Sequence, residues 1–483
     1  MTPTPRRART VAMREVDIRA VEPLRLASVI GEARMAAFEA AAATARGLLD
    51  GRAVVNVNST AEGGGVAEML QVLLAYARAV GIDARWLVIQ GDASFFEITK
   101  RLHNHLYGEP GDGGPLGGAE HARYESTLHR SAEALRTTVQ PGDVVLLHDP
   151  QTAGLVPAMQ EAGAKVVWRC HIGIDVPNDH TQLGWEFLRP YLEHADAWVF
   201  TRREFAPPWA EPARVHIIPP SIDPFSTKNM TLSEDEVRSI LRFVGLDGGA
   251  TAIRPVRFSR RDGSPGLIDR PVDIFRTGPP PPLDAPLVVQ ISRWDRMKDM
   301  RGVMLAFAEH VDGAGDAHLA LVGPEVRGVA DDPEGALIFD ECMATWRMLP
   351  LAQRTRMHLA CQPMDDPDRV SVITNAIQRH ATVVTQKSIA EGFGLTVAEA
   401  MWKSRPVVAS RVGGIPDQIV HGESGLLVDD PYDLAAFGAA VGRLLHDRPY
   451  AERLGEQAHR RANDELLADR HLERWGQVFA SLA

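Results

Sequence analysis

The chain has 483 residues, with 52 Lys+Arg against 63 Asp+Glu and a formal charge of −11. Hydrophobic residues make up 45% and charged residues 24%, the composition of a soluble globular protein long enough for two to three domains. The acidic balance, with a pI near 5.9, excludes a general nucleic-acid or anionic-membrane binder, which needs a basic face. It leaves room for a small anionic ligand, which needs only a local cluster of cations.

Cys170, Cys342 and Cys361 lie in or beside apolar runs without metal-ligand spacing. That rules out a disulfide framework and a Cys-based zinc site, and fits a reducing, cytoplasmic location. Arg6 and Arg7 are followed by charges at Arg9, Arg14, Glu15 and Asp17 rather than by an apolar core, so no signal peptide or twin-Arg export signal is expected. No run approaches the ~18 apolar residues of a membrane span.

In chain order, short β-branched runs alternate with helical patterns. Strands are predicted over 53–59, 85–89, 143–149, 165–172, 197–201 and 215–222. After Gly65, apolar residues recur at helical spacing from Val66 to Val80, and Gly81 sits where a C-terminal cap belongs. Residues 223–286 break the rhythm with Pro, Gly and Arg, and read as an interdomain connection with an exposed insert near 250–285. Arg254, Arg257, Arg260, Arg261 and Arg270 in it read as a solvated loop. Strands then resume over 287–294, 318–324, 357–363, 382–386 and 406–411, and the tail from Pro431 reads as helices. The alternation predicts two doubly wound α/β domains, over 1–222 and 287–466, with a ligand cleft between the carboxyl ends of their strands.

Three segments carry chemistry. The first is Asn58-Ser59-Thr60-Ala61-Glu62-Gly63-Gly64-Gly65, between strand and helix. Its glycines fit a loop that brings backbone N–H groups against phosphate or sugar hydroxyls, or simply a tight turn. Gly63 and Gly65 match the start of a G-x-G-x-x-G fingerprint, but Glu68 stands in the third position, which disfavours a dinucleotide-dependent oxidoreductase. The second is Ser292-Arg293-Trp294-Asp295-Arg296-Met297-Lys298, where Arg293 and Lys298 flank a strand-to-helix turn. They fit a clamp on a pyrophosphate, or a solvated basic turn. The third is Glu391-Gly392-Phe393-Gly394-Leu395-Thr396-Val397-Ala398-Glu399. Its glycines open a helix whose first N–H groups, from Gly394 to Thr396, can face an anion. Glu391 can accept from a sugar hydroxyl. Glu399 can accept from both hydroxyls of a ribose, or stabilise the first turn.

The Arg293…Lys298 pair followed by Glu391…Glu399 resembles the donor site of retaining glycosyltransferases of the GT-B type, whose fold is two Rossmann-like domains facing across a cleft. The stretches NSTAEGGGVAEML, FFEITKRLHNHLYG, HDPQTAGL, WRCHIGID and IPPSIDPFSTKN resemble trehalose synthases of the nucleotide-sugar-dependent kind, and also the related retaining trehalose phosphorylases. The resemblance implies that Arg293 and Lys298 hold the donor diphosphate, Glu391 the donor sugar and Glu399 the ribose. It places Gly64 and Gly65 against the donor, and His171 beside the reacting glucosyl carbon, bonding its 6-hydroxyl. It departs at Lys298-Asp299, where relatives often have Lys-Gly; an acid facing the cleft there would weaken the diphosphate assignment. It also implies that the last helix, 467–483, packs back on the first domain.

Other polar candidates are Asp149 and Arg169 at strand ends, and Lys100 and Asn104 on one face of a predicted helix, with His103 nearby. These four fit an acceptor pocket, or respectively a turn, a phosphate contact and a wet helix face. The reaction expected is transfer of glucose from a nucleoside diphosphate glucose to free glucose, giving α,α-trehalose with retention. The competing readings are a trehalose phosphorylase using glucose 1-phosphate, an oxidoreductase, and a non-catalytic nucleotide-sugar sensor. No tightly bound cofactor, metal site, nucleic-acid or membrane partner is expected. Mg2+ is allowed as a stimulator, and the relatives suggest a homodimer.

Overall fold

The computed structural model describes residues 13–61, 64–248, 254–311, 315–326 and 333–482. Internal contacts divide the chain into two units, Met1–Pro219 with His471–Ala483, and Pro220–Arg470.

In the first unit, β1 (Met13–Glu15), β2 (Val54–Asn58), β3 (Ala84–Ile89), β4 (Val144–His148), β5 (Lys165–Cys170), β6 (Ala197–Phe200) and β7 (Val215–Ile217) form one sheet. Its order is β1-β3-β2-β4-β5-β6-β7, parallel except for β1 on β3. The chain runs from β2 to β3 on one side and returns to β4 on the other, so the topological switch point lies between the carboxyl ends of β2 and β4. The strands are near-continuous apolar runs because both faces are covered. Val55, Val57, Val145, Leu147, Val166 and Trp168 enter the core on one face. Val54, Val144, Leu146 and Val167 enter the core on the other, against Trp475, Val478 and Phe479 of the last helix, Ala468–Ser481. Because side chains alternate along a strand, Trp168 and Arg169 leave β5 in opposite directions.

In the second unit, β8 (Val256–Ser259) and β9 (Pro265–Ile268) form an antiparallel hairpin. The main sheet comprises β10 (Asp273–Phe275), β11 (Leu287–Ile291), β12 (His318–Pro324), β13 (Met357–Gln362), β14 (Val383–Gln386), β15 (Val407–Ser410) and β16 (Leu426–Val428). The order β10-β13-β12-β11-β14-β15-β16 is parallel apart from β10 on β13, and its parallel part has the Rossmann arrangement with a switch point between β11 and β14.

The sequence rhythm misplaces two things here. The stretch expected as an exposed insert belongs to the second unit, where it supplies the hairpin and the edge strand β10, and Ile268 and Val272 are buried. Arg260, expected to be solvated, makes two hydrogen bonds to Asp366 at 2.8 and 2.5 Å. The short strands are hidden by the glycines and prolines that let them pack: a side chain at Gly266 would run into the ring of Phe258. The edge strands β1 and β16 are likewise too short to show as periodic runs.

Candidate active site

At the carboxyl end of the first sheet, Asp149 and His171 follow the neighbouring strands β4 and β5, which are in register at His148 and Arg169. Asp149 has a left-handed backbone, φ 61°. That conformation is held on both sides: its N–H donates to the Arg169 carbonyl at 2.8 Å, and its carbonyl accepts from the Trp168 indole at 3.1 Å. The carboxylate accepts from the His171 backbone N–H at 2.8 Å and from His171 Nδ1 at 3.0 Å. Burial pushes the Asp149 carboxyl up, but the imidazole and its hydrogen bonds outweigh this and hold it at about 2. Burial, opposed by Asp149, lowers the pKa of His171. A neutral ring donating from Nδ1 leaves Nε2 as an acceptor, and His171 Nε2 is buried without a protein partner.

Below it, the His148 ring stacks on His171 with centroids 5.4 Å apart and bonds Asn56 Oδ1 through Nε2 at 3.1 Å. Gly64, at φ 80°, caps the helix Gly65–Ala79, and Asn58, at the end of β2, donates to the Thr60 carbonyl at 2.6 Å. Glu62 and Gly63 lie outside the described residues.

Of the remaining acceptor candidates, Arg169 lies beside this cluster, and Lys100 and Asn104 lie on the helix Ala93–Leu106. Arg169, the register partner of His148, lies on the same face of the sheet, where it bonds His471 at 2.9 Å and lies 5.4 Å from the Trp475 ring centroid. Lys100 is exposed on the helix Ala93–Leu106, and Asn104 is half-buried beside the Gly111 turn.

In the second unit, the loops after β11 and β14 bring the basic and acidic motifs together. Lys298 Nζ donates to both oxygens of Glu391 at 2.7 Å, although the two residues are far apart in sequence. The Glu391 carboxylate also accepts from Gln386 at 3.2 Å and Ser388 at 3.1 Å. Arg293 stands more exposed and pairs with Asp295 at 2.9 Å. Gly394, at φ 86°, caps the helix Leu395–Trp402, and Gly394, Leu395 and Thr396 are only partly covered. Their first-turn N–H groups form the positive end of that helix.

Glu399 lies past the first turn, which carries no acidic residue, so the capping alternative falls away. Its carboxylate is 3.6 Å from Lys228 Nζ and accepts from Gln378 at 3.4 Å. Beneath it, Lys403 bonds Asn229 Oδ1 at 3.0 Å and the Glu399 carbonyl at 3.1 Å, and burial lowers its pKa.

Asp299 does not turn toward Lys298. Its carboxylate caps the next helix at Gly302 N, 2.9 Å, and pairs with the buried Lys387. Sequence reasoning passed over Lys387, and also Gly413 and Gly414, where any side chain would strike the backbone of Glu391 to Phe393. The Gly413-Gly414 pair ahead of Ile415-Pro416 was the available signal. Among the described residues no group of His, Cys, Asp and Glu side chains could hold a metal ion, and no helix is long and apolar enough to cross a membrane.

Residues 56–207 match the family model of the trehalose synthase N-terminal domain, and residues 363–461 that of group 1 glycosyl transferases. A trehalose synthase of Rubrobacter xylanophilus is 35% identical over 439 residues, covering 90% of this chain and 92% of the relative. A trehalose phosphorylase of Pleurotus pulmonarius is 24% identical over 436 residues, 85% of this chain but 54% of that protein. A UDP-forming α,α-trehalose-phosphate synthase of Burkholderia xenovorans, solved with glucose-6-phosphate, superposes with a TM-score of 0.63 at 16% identity, over 89% of this chain and 99% of that one. The fold is shared over that 89% of the chain, and the sequence likeness to the synthase runs through both units. The chain belongs to the trehalose synthase family of GT-B glycosyltransferases.

Proposed function

We propose that the protein transfers glucose from a nucleoside diphosphate glucose to the anomeric hydroxyl of free glucose, giving α,α-trehalose with retention, in a reversible reaction. The observation that carries this reading is the Lys298–Glu391 pair beside the open N-terminus of the helix Leu395–Trp402, with Glu399 on the same helix. Without a ligand the lysine and the glutamate satisfy each other. A diphosphate sugar exchanges both partners at once: its phosphates take Lys298 and the helix N–H groups, and its sugar hydroxyls take Glu391. Arg293, exposed and paired only over a short reach, adds a second cation. Glu399 then accepts from the ribose, a role that a donor without a nucleoside leaves empty.

In the family's reaction as carried over here, the bond from the glucosyl carbon to the phosphate oxygen breaks while the acceptor oxygen bonds the same face. The acceptor proton passes to the departing phosphate oxygen. Lys298, Arg293 and the helix N-terminus stabilise the charge that accumulates there. His171, neutral and with a free Nε2 acceptor, takes a hydrogen bond from the 6-hydroxyl of the donor glucose, and Asp149 fixes its tautomer and orientation.

The test is a product assay on purified protein with free glucose, run in parallel with ADP-, UDP- and GDP-glucose and with glucose 1-phosphate. Trehalose from a nucleotide donor alone is expected, and the three donors rank the base. Trehalose with phosphate release from glucose 1-phosphate alone would make the protein a phosphorylase and remove the ribose role of Glu399.

A further inference from the structure

Lys387 is a long cation with 1% of its side chain exposed, held entirely by protein. Its Nζ donates to Asp299 and, at 2.6 Å, to the Pro431 carbonyl. Asp299 is one residue from Lys298 and has a left-handed backbone, φ 43°, a conformation that glycine adopts freely and an aspartate does not. Gly302 makes the room, since a side chain there would run into the Asp299 carboxylate. The same two loops are stitched by neutral bonds: Lys387 N–H to Gln290 Oε1 at 2.9 Å, Gln290 Nε2 to the Lys298 carbonyl at 2.6 Å, and Ile389 N–H to the Met297 carbonyl at 2.7 Å. The backbone register is thus fixed without Lys387's charge. What that charge adds, beside the Gly302 N–H that caps one carboxylate oxygen, is an opposite charge that holds the other oxygen of Asp299 away from Lys298.

We propose that Lys387 is a positioning residue for the donor site: by pairing with Asp299 it keeps Lys298 free to exchange Glu391 for phosphate. This rests on the reading of Lys298 as a phosphate contact. With Lys387 present, the four side chains Lys298, Lys387, Asp299 and Glu391 sum to no net charge. Without it, two carboxylates compete for one ammonium, and an incoming diphosphate meets an extra negative charge.

The test measures binding of inorganic pyrophosphate by calorimetry, and donor KM with whichever donor the wild type uses, in Lys387→Met, Asp299→Gly and the double variant. A merely structural ion pair is broken equally by either single change. Charge positioning separates them: Lys387→Met weakens pyrophosphate binding and raises donor KM about 10-fold or more, whereas Asp299→Gly and the double variant stay within about 3-fold of wild type. Equal weakening by both single variants, or wild-type binding in Lys387→Met, overturns the proposal. If Lys387→Met does not fold, the double variant, which buries no unpaired charge, decides by the same 3-fold limit. A wild type that makes no trehalose from nucleotide donors yet binds pyrophosphate would sink the proposed reaction and leave this test standing. Failure to bind pyrophosphate at all would overturn both the proposal and the phosphate role of Lys298.

Discussion

The loops after β4 and β5 and the loops after β11 and β14 leave equivalent sheet edges, yet they are finished differently. In the first unit, Asp149 and His171 are held by backbone as well as side-chain bonds, and the pair leaves a single acceptor, His171 Nε2, unpartnered. In the second, the polar groups satisfy one another as ion pairs, Lys298 with Glu391, Lys387 with Asp299, and Lys228 with Glu399. A fixed acceptor orients whatever reaches it. An ion pair must be exchanged before a ligand can bind, so its strength is returned when the ligand supplies replacement charges. Under the proposed reaction, the first edge orients the sugar and the second captures and releases the anion.

Changes at the second edge should therefore be larger. Lys298→Ala removes the cation proposed to meet the leaving diphosphate and leaves Glu391 without its ion-pair partner, and kcat should fall about 1000-fold. Turnover within a few-fold of wild type at saturating donor would end the assignment. Asp149→Asn keeps the shape at the first edge but offers an amide in place of the carboxylate that fixes the His171 tautomer. A loss of about 100-fold in kcat with little change in donor KM is expected. A change confined to donor KM would move Asp149 from orienting to binding.

The same contrast decides what the sequence showed. The Arg293…Lys298 and Glu391…Glu399 signals are legible because each occupies one strand–turn–helix connection, where glycine spacing and helix polarity act locally. The Lys298–Glu391 and Lys387–Asp299 contacts are not, because strand order brings β11 beside β14 and no local pattern records that pairing. Asp299 is the sharpest case. Its charge beside Lys298 counted against a phosphate site, and only the fold shows Lys387 turning it aside. The Arg169–His471 bond was equally invisible, because the two residues meet only when the last helix packs on the sheet. Nearly all the parallel strands were readable, whereas β1, β8, β9, β10 and β16 are short edge or hairpin pieces broken by Pro, Gly and Arg.

Glu399→Ala sharpens the comparison within the second edge. Losing a hydrogen bond donated by a ribose hydroxyl to the carboxylate costs about 1.5–3 kcal/mol. Donor KM for a nucleotide sugar should therefore rise roughly 10- to 100-fold with kcat less affected. Any residual use of glucose 1-phosphate should be untouched. Equal losses on both donors would mean that the residue shapes the helix rather than the nucleoside site.

The smallest effect concerns buried histidines, one in each unit. His148 is pushed well below its ordinary value of 6.5, chiefly by burial, and His358 is lowered to about 3, also chiefly by burial. Both are neutral when folded and take up a proton on unfolding below about pH 6.5. In that window the unfolded chain binds more protons, so stability is intact above it and falls as pH drops. Each such group contributes a slope of up to about 1.36 kcal/mol per pH unit. His148→Gln keeps a donor for Asn56 and should flatten the loss of stability between pH 6.5 and 4.5 by about one group's slope, read by urea unfolding at a series of pH values. His358→Gln should do the same. Since the chain divides into two contact units, its unfolding need not be a single transition. If the units unfold separately, each substitution should flatten only the transition of its own unit. One shared transition, flattened equally by both, would mean that the two units melt as one. An unchanged slope in either variant would mean that its histidine is already protonated in the folded protein.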